Sequence, residues 1–420
     1  METTERWRAD AKIDCQVLAV GTASEGRPTK AKNLPMEEMT RHGERRGRLR
    51  EIAKEFLRFG FVAYGGPAAH IAMMEERYGR RRGWLRPERF LDLLGAASLL
   101  PGPRSTEVAI YLGEMRGGVA GLVVAGVCFI LPAAMLVTAL AWAYMKYGAM
   151  PQVASLLLGI KPVVVALIAQ AIWNLGRTAL KSVWLSVLAI AAIGLAVWGA
   201  SLLIVLIGAG VLWVLIGEGT RLAQDKVAAI AGVLGTGAAG TSTAIAVLPV
   251  FLYFLKVGAV LVGSGYVLLA LLRADLVVKM HWLSDAQLLD AIAVSQATPG
   301  PFFTVATFIG YVLGGWKGAV LATVGMFLPA FVYVRVTAKF LPKLRKSAAA
   351  SAFLDGVNAA AVALMAVVGW QFARAAIVNM PAILLMIVSA GLVFRYKVNS
   401  AWLVLGGAIV GIVLRGIGWV

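Results

Sequence analysis

Two proline-glycine-proline triplets mark the positions in this 420-residue chain where chemistry is most readily placed. Pro101-Gly102-Pro103 is followed by Arg104, Ser105, Thr106 and Glu107, and Pro299-Gly300-Pro301 by Phe302, Phe303 and Thr304. Proline costs little just inside a helix start, because its missing N–H is one of the donors a helix leaves unpaired there. Pro103 and Pro301 are therefore expected to open half-helices whose free N–H groups and positive dipole ends attract an anion. Arg104 adds a cation, while Ser105, Thr106 and, in the second copy, Thr304 add hydroxyl donors, a set suited to a tetrahedral oxyanion. A purely structural kink is the competing reading. A glycine-rich break precedes each triplet: Tyr64-Gly65-Gly66-Pro67 in the first half, Val262-Gly263-Ser264-Gly265 in the second. Such breaks free backbone groups that hydrocarbon cannot satisfy, so they belong where backbone is buried in protein or lines a wet cavity. Close helix packing through small residues is the alternative.

Ionisable residues within apolar stretches are costly to bury and are functional candidates by default. Asp92, Asp290, Glu107 and His70 are the candidates for coupling to protons. An interfacial cap for the two aspartates and a satisfied core histidine for His70 are the blander readings. Arg58 and Lys256 lie near the starts of their helices, where long side chains snorkel to the headgroups. Lys161, beside Pro162, is a lone cation without an assignable role. Cys15 and Cys128 form no disulfide framework, and no Cys/His spacing for a metal occurs, so neither a metal nor a cofactor is expected. No nucleophile paired with a base is recognisable, which argues against an intramembrane enzyme.

The elements that must position these residues are membrane helices. The chain is 60% hydrophobic and 15% charged, with 46 glycines and a mean hydropathy of +0.79. A soluble domain is about 45–50% apolar and about 25% charged. The formal net charge is +18. In a soluble chain that excess would suggest nucleic acid, but the polar residues 1–55 carry only +2 of it. The remainder lies on the apolar body, so the expected partners are the lipid bilayer and, as an assembly, a second copy of the chain, not nucleic acid. Residues 1–51 read as a polar, disordered tail without the apolar core of a signal peptide. Beyond it the chain divides into about 13 helices of about 20 residues, the length that crosses a bilayer. The weakest spans, at 56–74, 88–112 and 286–311, carry the charged residues and are expected to face the interior.

Sliding the sequence on itself reveals a repeat. At an offset of 198, Phe56 falls on Phe254, Gly60 on Gly258, Trp84 on Trp282, Asp92 on Asp290 and triplet on triplet. At 197 the match continues through Gly117-Gly118 on Gly314-Gly315 and Leu131-Pro132 on Leu328-Pro329. The fold class is thus an all-α polytopic membrane protein of two homologous repeats with broken helices, residues 52–225 and 226–420. An odd number of crossings between equivalent positions inverts one copy relative to the other, as in many secondary transporters. A parallel repeat follows instead if one weak span is re-entrant. Lys and Arg gather on the side of the N-terminal tail, which the positive-inside rule makes cytoplasmic. The loop from Arg77 to Arg89 dissents, and six arginines there could raise the local anion concentration.

On these residues the chain resembles the chromate ion transporter family in its long two-domain form. The resemblance rests on Phe59-Gly60 leading to Gly65-Gly66-Pro67-Ala68-Ala69-His70, on Trp84-Leu85, and on Leu99-Leu100-Pro101-Gly102-Pro103. In the second half it rests on Gln296-Ala297-Thr298-Pro299-Gly300-Pro301 and Ala306-Thr307-Phe308-Ile309-Gly310-Tyr311. It covers residues 52–420. It implies an inner-membrane transporter that exports chromate and confers resistance, driven by the membrane potential or a proton gradient, with sulfate as the look-alike substrate. The motif positions carried over are Gly65, Gly66, Pro67, Pro101, Gly102, Pro103, Gly263, Gly265, Pro299, Gly300 and Pro301. The chain departs from the pattern at Ser264, where glycine is expected, and at Arg104-Ser105-Thr106-Glu107, where smaller residues are. A sulfate or other oxyanion carrier and an anion channel are the alternatives.

Overall fold

The computed structural model describes residues 36–98, 100–148, 150–217, 247–261, 265, 267–338, 348–377 and 379–417. Every regular element among them is helical. Helix α1 (Met36–Val62) follows Pro35 and begins inside the stretch expected to be a disordered tail. The reason is local: from residue 36 to 50 no proline occurs, and Glu37/Arg41 and Glu44/Arg48 have the i,i+4 spacing that supports a helix.

Within the body, α1 stops where Gly65 and Gly66 take positive φ values of 104° and 79°, a conformation that favours glycine. Helix α2 (Gly66–Met74) starts with Pro67 in its first turn and runs on as a π-helical stretch, Glu75–Arg81. Helix α3 (Pro87–Ala97) leads into the first triplet, where Gly102 has φ 134°. Helix α4 (Arg104–Tyr147) then starts directly after Pro103, as expected for a half-helix. It is not one rod. At Gly118 φ and ψ are 61° and −151°, and a Cβ on Gly113 would collide with the carbonyl oxygen of Gly121. Eight residues along a straight helix lie about 12 Å apart, so the chain turns back on itself and α4 is a short arm followed by a long antiparallel one. Helices α5 (Pro151–Ala179), α6 (Val183–Val197) and α7 (Leu202–Gly217) follow.

The second half repeats this plan residue for residue. Helix α8 (Val247–Val260) corresponds to the end of α1, and α9 (Val267–Leu272) runs into a π-helical stretch at Arg273–Lys279, offset by 198 from the first. Helix α10 (Asp285–Ala297) is closed at its start by a capping box of Ser284 and Gln287. Gly300 has φ 98°, a 3₁₀ turn spans Phe302–Thr304, and α11 (Val305–Thr337) reverses at Gly315 with φ 61° and ψ −152°. Gly310 and Gly318 touch there as Gly113 and Gly121 do. Helices α12 (Ala348–Ala376), α13 (Met380–Tyr396) and α14 (Ser400–Gly416) complete the body.

Four helices among the described residues are long and apolar enough to cross a membrane: Arg104–Tyr147, Ser155–Ala179, Phe302–Thr337 and Ser351–Ala376. Five shorter apolar helices lie beside them. The spans expected at 56–74, 88–112 and 286–311 are each broken, because their glycines and prolines end one helix and start the next.

The two copies are tied by reciprocal hydrogen bonds. The Gly102 N–H donates to Leu261 O and the Gly300 N–H to Ala63 O, both at 2.8 Å. Ala63 and Leu261 are themselves equivalent positions, so an operation that carries one copy onto the other carries the second back onto the first. The arms agree: a Cβ on Gly300 would lie 2.6 Å from that of Ala133, while Gly102 faces the equivalent Ala330 at 3.8 Å. Pro67 and Gly265, another equivalent pair, approach each other, with 3.8 Å from the Gly265 Cβ position to the proline ring. The pseudo-two-fold axis therefore passes between the two glycine-rich breaks.

Because the reversal at Gly310 leaves no room for a methyl group against backbone, Gly310→Ala forces the arms of α11 apart. Overpacking of this kind costs about 1–3 kcal/mol. The variant is expected to lose several degrees of thermal stability in detergent, whereas Gly391→Ala, at a helical position with open space, stays within about 1 kcal/mol of the parent.

Candidate functional site

The first triplet and the half-helix after it hold the densest group of unsatisfied polar atoms. Helix α4 has no side chain capping its start, and Pro103 there is extended, with φ −79° and ψ 90°. Its first N–H groups thus retain their donor capacity. Glu107 is completely buried. Its two carboxylate oxygens, Arg104 Nε and Thr106 Oγ1 are buried with no hydrogen-bond partner. Buried polar groups are nearly always bonded, so such a group of orphans on one helical turn is unusual. The Glu107 carboxylate lies over Gly102, where a Cβ would stand 2.6 Å from Oε1. Glycine is therefore required at 102 twice over, by its positive φ and by this approach.

The second triplet has the same backbone and different chemistry. Arg104, Ser105 and Glu107 correspond to Phe302, Phe303 and Val305, all buried. Thr304 matches Thr106, but its hydroxyl donates to Pro301 O at 2.9 Å. Phe303 instead packs on Gly265, beside the pseudo-axis. The two triplets are thus alike in backbone and unlike in side chains. Gly65, Gly66 and Pro67 are partly exposed. Gly263 and Ser264 lie outside the described residues, as does the side chain of Asp92.

His70 is buried, and its Nε2 lies 3.1 Å from Ala63 O, the carbonyl that also accepts the Gly300 N–H. It packs edge-on against Phe59 and Phe129. Leu268 stands at the equivalent position in the second copy and is also buried. The geometry is that of a core histidine bracing the crossed hydrogen bond.

Asp290 parts company with the triplets. It is buried on α10, accepts the Tyr144 hydroxyl at 3.1 Å and forms an ion pair with Lys161 at 3.4 Å. Lys161 thus has a role that its sequence neighbourhood does not disclose. Arg58 and Lys256 are exposed, as snorkelling requires. Four of the six arginines in the Arg77–Arg89 loop, Arg77, Arg80, Arg81 and Arg82, are held in ion pairs. Glu55 receives Arg77 at 2.8 Å and Arg82 at 2.6 Å, and Glu51 pairs with Arg82 and Arg116. Arg80 and Arg81 pair with Glu75 and Glu76. Both Glu51 and Glu55 precede the segment that the sequence treats as membrane-embedded, so only the fold reveals the partnership. No three His, Cys, Asp or Glu side chains gather as a metal site would require among the described residues.

The profile of the chromate transporter family matches residues 50–214 and 248–412, one match for each copy. The chain belongs to the chromate transporter family. Within it, the chain is similar to the chromate transport protein of Cupriavidus metallidurans, 31% identical over 372 residues that cover 87% of this chain and 93% of that one. The chromate transport protein of Pseudomonas aeruginosa is 32% identical over 380 residues, 86% and 91% of the two chains. The uncharacterized transporter YwrA of Bacillus subtilis is 29% identical over 135 residues, only 32% of this chain but 76% of its own. The chain is thus also similar to a protein that corresponds to only a fraction of its length. No solved structure matches this chain. Membership and the apolar helices together describe a multi-pass membrane transporter rather than an enzyme.

Bracing by His70 has a measurable consequence. His70→Leu, which copies Leu268, removes one of two donors to Ala63 O and is expected to cost about 1 kcal/mol of stability, read as a lower melting temperature in detergent. Transport by the variant should keep the parent's pH dependence; a flattened profile would make His70 a proton carrier instead.

Proposed function

We propose that this chain is a secondary transporter that moves chromate across the inner membrane, outward, and so confers resistance. The observation that carries this reading is the turn after Pro103: the Arg104 Nε, the Thr106 hydroxyl and the Glu107 carboxylate, each buried without a hydrogen-bond partner, at the uncapped start of a half-helix. A tetrahedral dianion supplies the acceptors that the donors of that turn lack. Its oxygens can accept from the first N–H groups of α4, from Arg104, and from Ser105 and Thr106. Glu107, three residues from Arg104 on the same turn, balances the cation while the site is empty. The names of the two long relatives support chromate as the ion.

The second triplet, Pro299, Gly300 and Pro301 with Thr304, serves as the counterpart that fixes the first rather than as an equal site. The glycine-rich breaks at Gly65, Gly66 and Pro67 and at Gly263, Ser264 and Gly265 flank the path near the pseudo-axis. In this reading the axis lies in the membrane plane, the copies are inverted, and their relative rocking exposes the site to each side in turn. The positive-inside rule puts the N-terminal tail in the cytoplasm.

Inverted membrane vesicles containing the chain are expected to accumulate chromate saturably, with sulfate competing and an uncoupler abolishing the accumulation. Arg104→Ala, at equal membrane abundance, should lower the rate by about tenfold or more, the loss of a single charge-assisted contact of about 1.5–3 kcal/mol. Absence of saturable accumulation by the parent sinks the assignment. Flux that neither saturates nor responds to the uncoupler identifies a channel.

A further inference from the structure

The described body holds a second buried charge group, remote in sequence from the triplets and absent from the transport reading above. Lys161 lies on α5 beside Pro162, Asp290 on α10 and Tyr144 near the end of α4. The side chains of Lys161 and Asp290 are 16% and 5% exposed. The Tyr144 ring rests on Phe308, in the half-helix after the second triplet, at a centroid distance of 5.2 Å. Helix α10 runs from Asp290 straight into the Gly300 break. The group therefore touches both elements that the second break joins. Among the described residues, the titratable and charged groups that face Asp290 are Tyr144 from α4 and Lys161 from α5. The π-helical stretch Arg273–Lys279 also packs on α10, where its Arg273 pairs with Asp285 at the start of that helix rather than with Asp290.

A purely structural ion pair is an expensive way to fill a membrane interior, since hydrophobic residues of similar volume are often as stable or more so. What an ion pair offers that leucine and methionine do not is a charge that can be uncovered. Neutralising one member leaves the other buried and uncompensated, a state costing several kcal/mol unless another ion restores the balance.

Resting on the oxyanion-transport reading, we propose that Asp290 is the proton-coupling site of the carrier and that Lys161 is the cation it covers and uncovers. A proton from the aqueous side adds to a carboxylate oxygen of Asp290, giving the neutral acid. Lys161 stays an ammonium and becomes an uncompensated positive charge in the core. The dianion entering beside Arg104 then cancels that charge and leaves the loaded core with one net negative charge instead of two. Release of the dianion on the far side lets the proton leave Asp290, and the ion pair re-forms. Proton and oxyanion thus load together because the dianion alone leaves the core two charges out of balance and the proton reduces this to one. The hydroxyl of Tyr144, bonded to the charged carboxylate, sets the pH at which this happens.

The full chain reconstituted in proteoliposomes separates the steps. Chromate/chromate exchange across the membrane needs the site and the conformational change but no net proton movement, whereas accumulation driven by a pH gradient needs the coupling group. For Asp290→Asn, which keeps the shape and the Tyr144 contact, exchange is expected to persist. Gradient-driven accumulation should fall about tenfold or more and the pH dependence of transport flatten; a tenfold change is one decade in the underlying equilibrium. Asp290→Glu should restore driven accumulation. Tyr144→Phe removes a bond to the charged carboxylate, so half-maximal accumulation should move to higher pH. Retained pH-dependent, gradient-driven accumulation in Asp290→Asn overturns the proposal. So does loss of exchange and accumulation together in that variant with an unmoved pH profile in Tyr144→Phe, the pattern of a structural pair. If the parent itself exchanges no chromate, the transport reading fails first and this one with it.

Discussion

Everything in this fold depends on where the backbone goes at the two proline-glycine-proline breaks. Breaking a helix inside an apolar body strands N–H and C=O groups that lipid cannot satisfy, each at a cost of several kcal/mol. Here each copy resolves the difficulty with the other copy's backbone: Gly102 donates to Leu261 and Gly300 to Ala63. The acceptors are available because α1 and α8 end at the same point, ahead of their glycine-rich breaks. One broken element thus supplies the partner for the other, and neither copy could keep its break without its mate. That mutual requirement explains why the repeat is conserved in backbone detail within the chain, down to the π-helical stretches at Glu75–Arg81 and Arg273–Lys279.

Once the backbone is fixed by symmetry, side chains are free to differ. Arg104 and Glu107 correspond to Phe302 and Val305 in the second copy, and His70 to Leu268. The second half-helix is packed shut by aromatic rings, while the first holds polar atoms without partners. A single polar turn in a symmetric frame suits a carrier that handles one anion at a time, because two equivalent anion sites at the axis would repel each other when filled.

Much of this was legible in the sequence because the decisive residues are glycine and proline, whose effect on the backbone is local. Pro103 opens α4 where its spacing predicted, and the match at offsets of 198 and 197 identified equivalent positions that the fold then superposes. What stayed hidden was everything that depends on long-range pairing. Lys161 and Asp290 sit on helices from different copies and share no motif. The partners of the arginine loop, Glu51 and Glu55, lie on the polar side of the composition boundary. Hydropathy does not by itself number the crossings for a related reason: it counts apolar residues and does not distinguish a full crossing from two half-helices joined end to end.

Charge balance limits what such a body can carry. Among its buried groups Arg104 stands with Glu107 and Lys161 with Asp290, so the empty core is close to neutral and can rearrange without dragging net charge through the bilayer. A dianion alone would leave it two charges short, and the membrane interior penalises that heavily. The proton on Asp290 repairs half of the deficit, leaving one negative charge to move. A carrier built this way would feel the membrane potential as well as the proton gradient, since moving one elementary charge across 100 mV amounts to about 2.3 kcal/mol. In the proposed coupling a negative cell interior favours outward movement of that residual charge, while a proton gradient acid outside opposes the proton that travels with it.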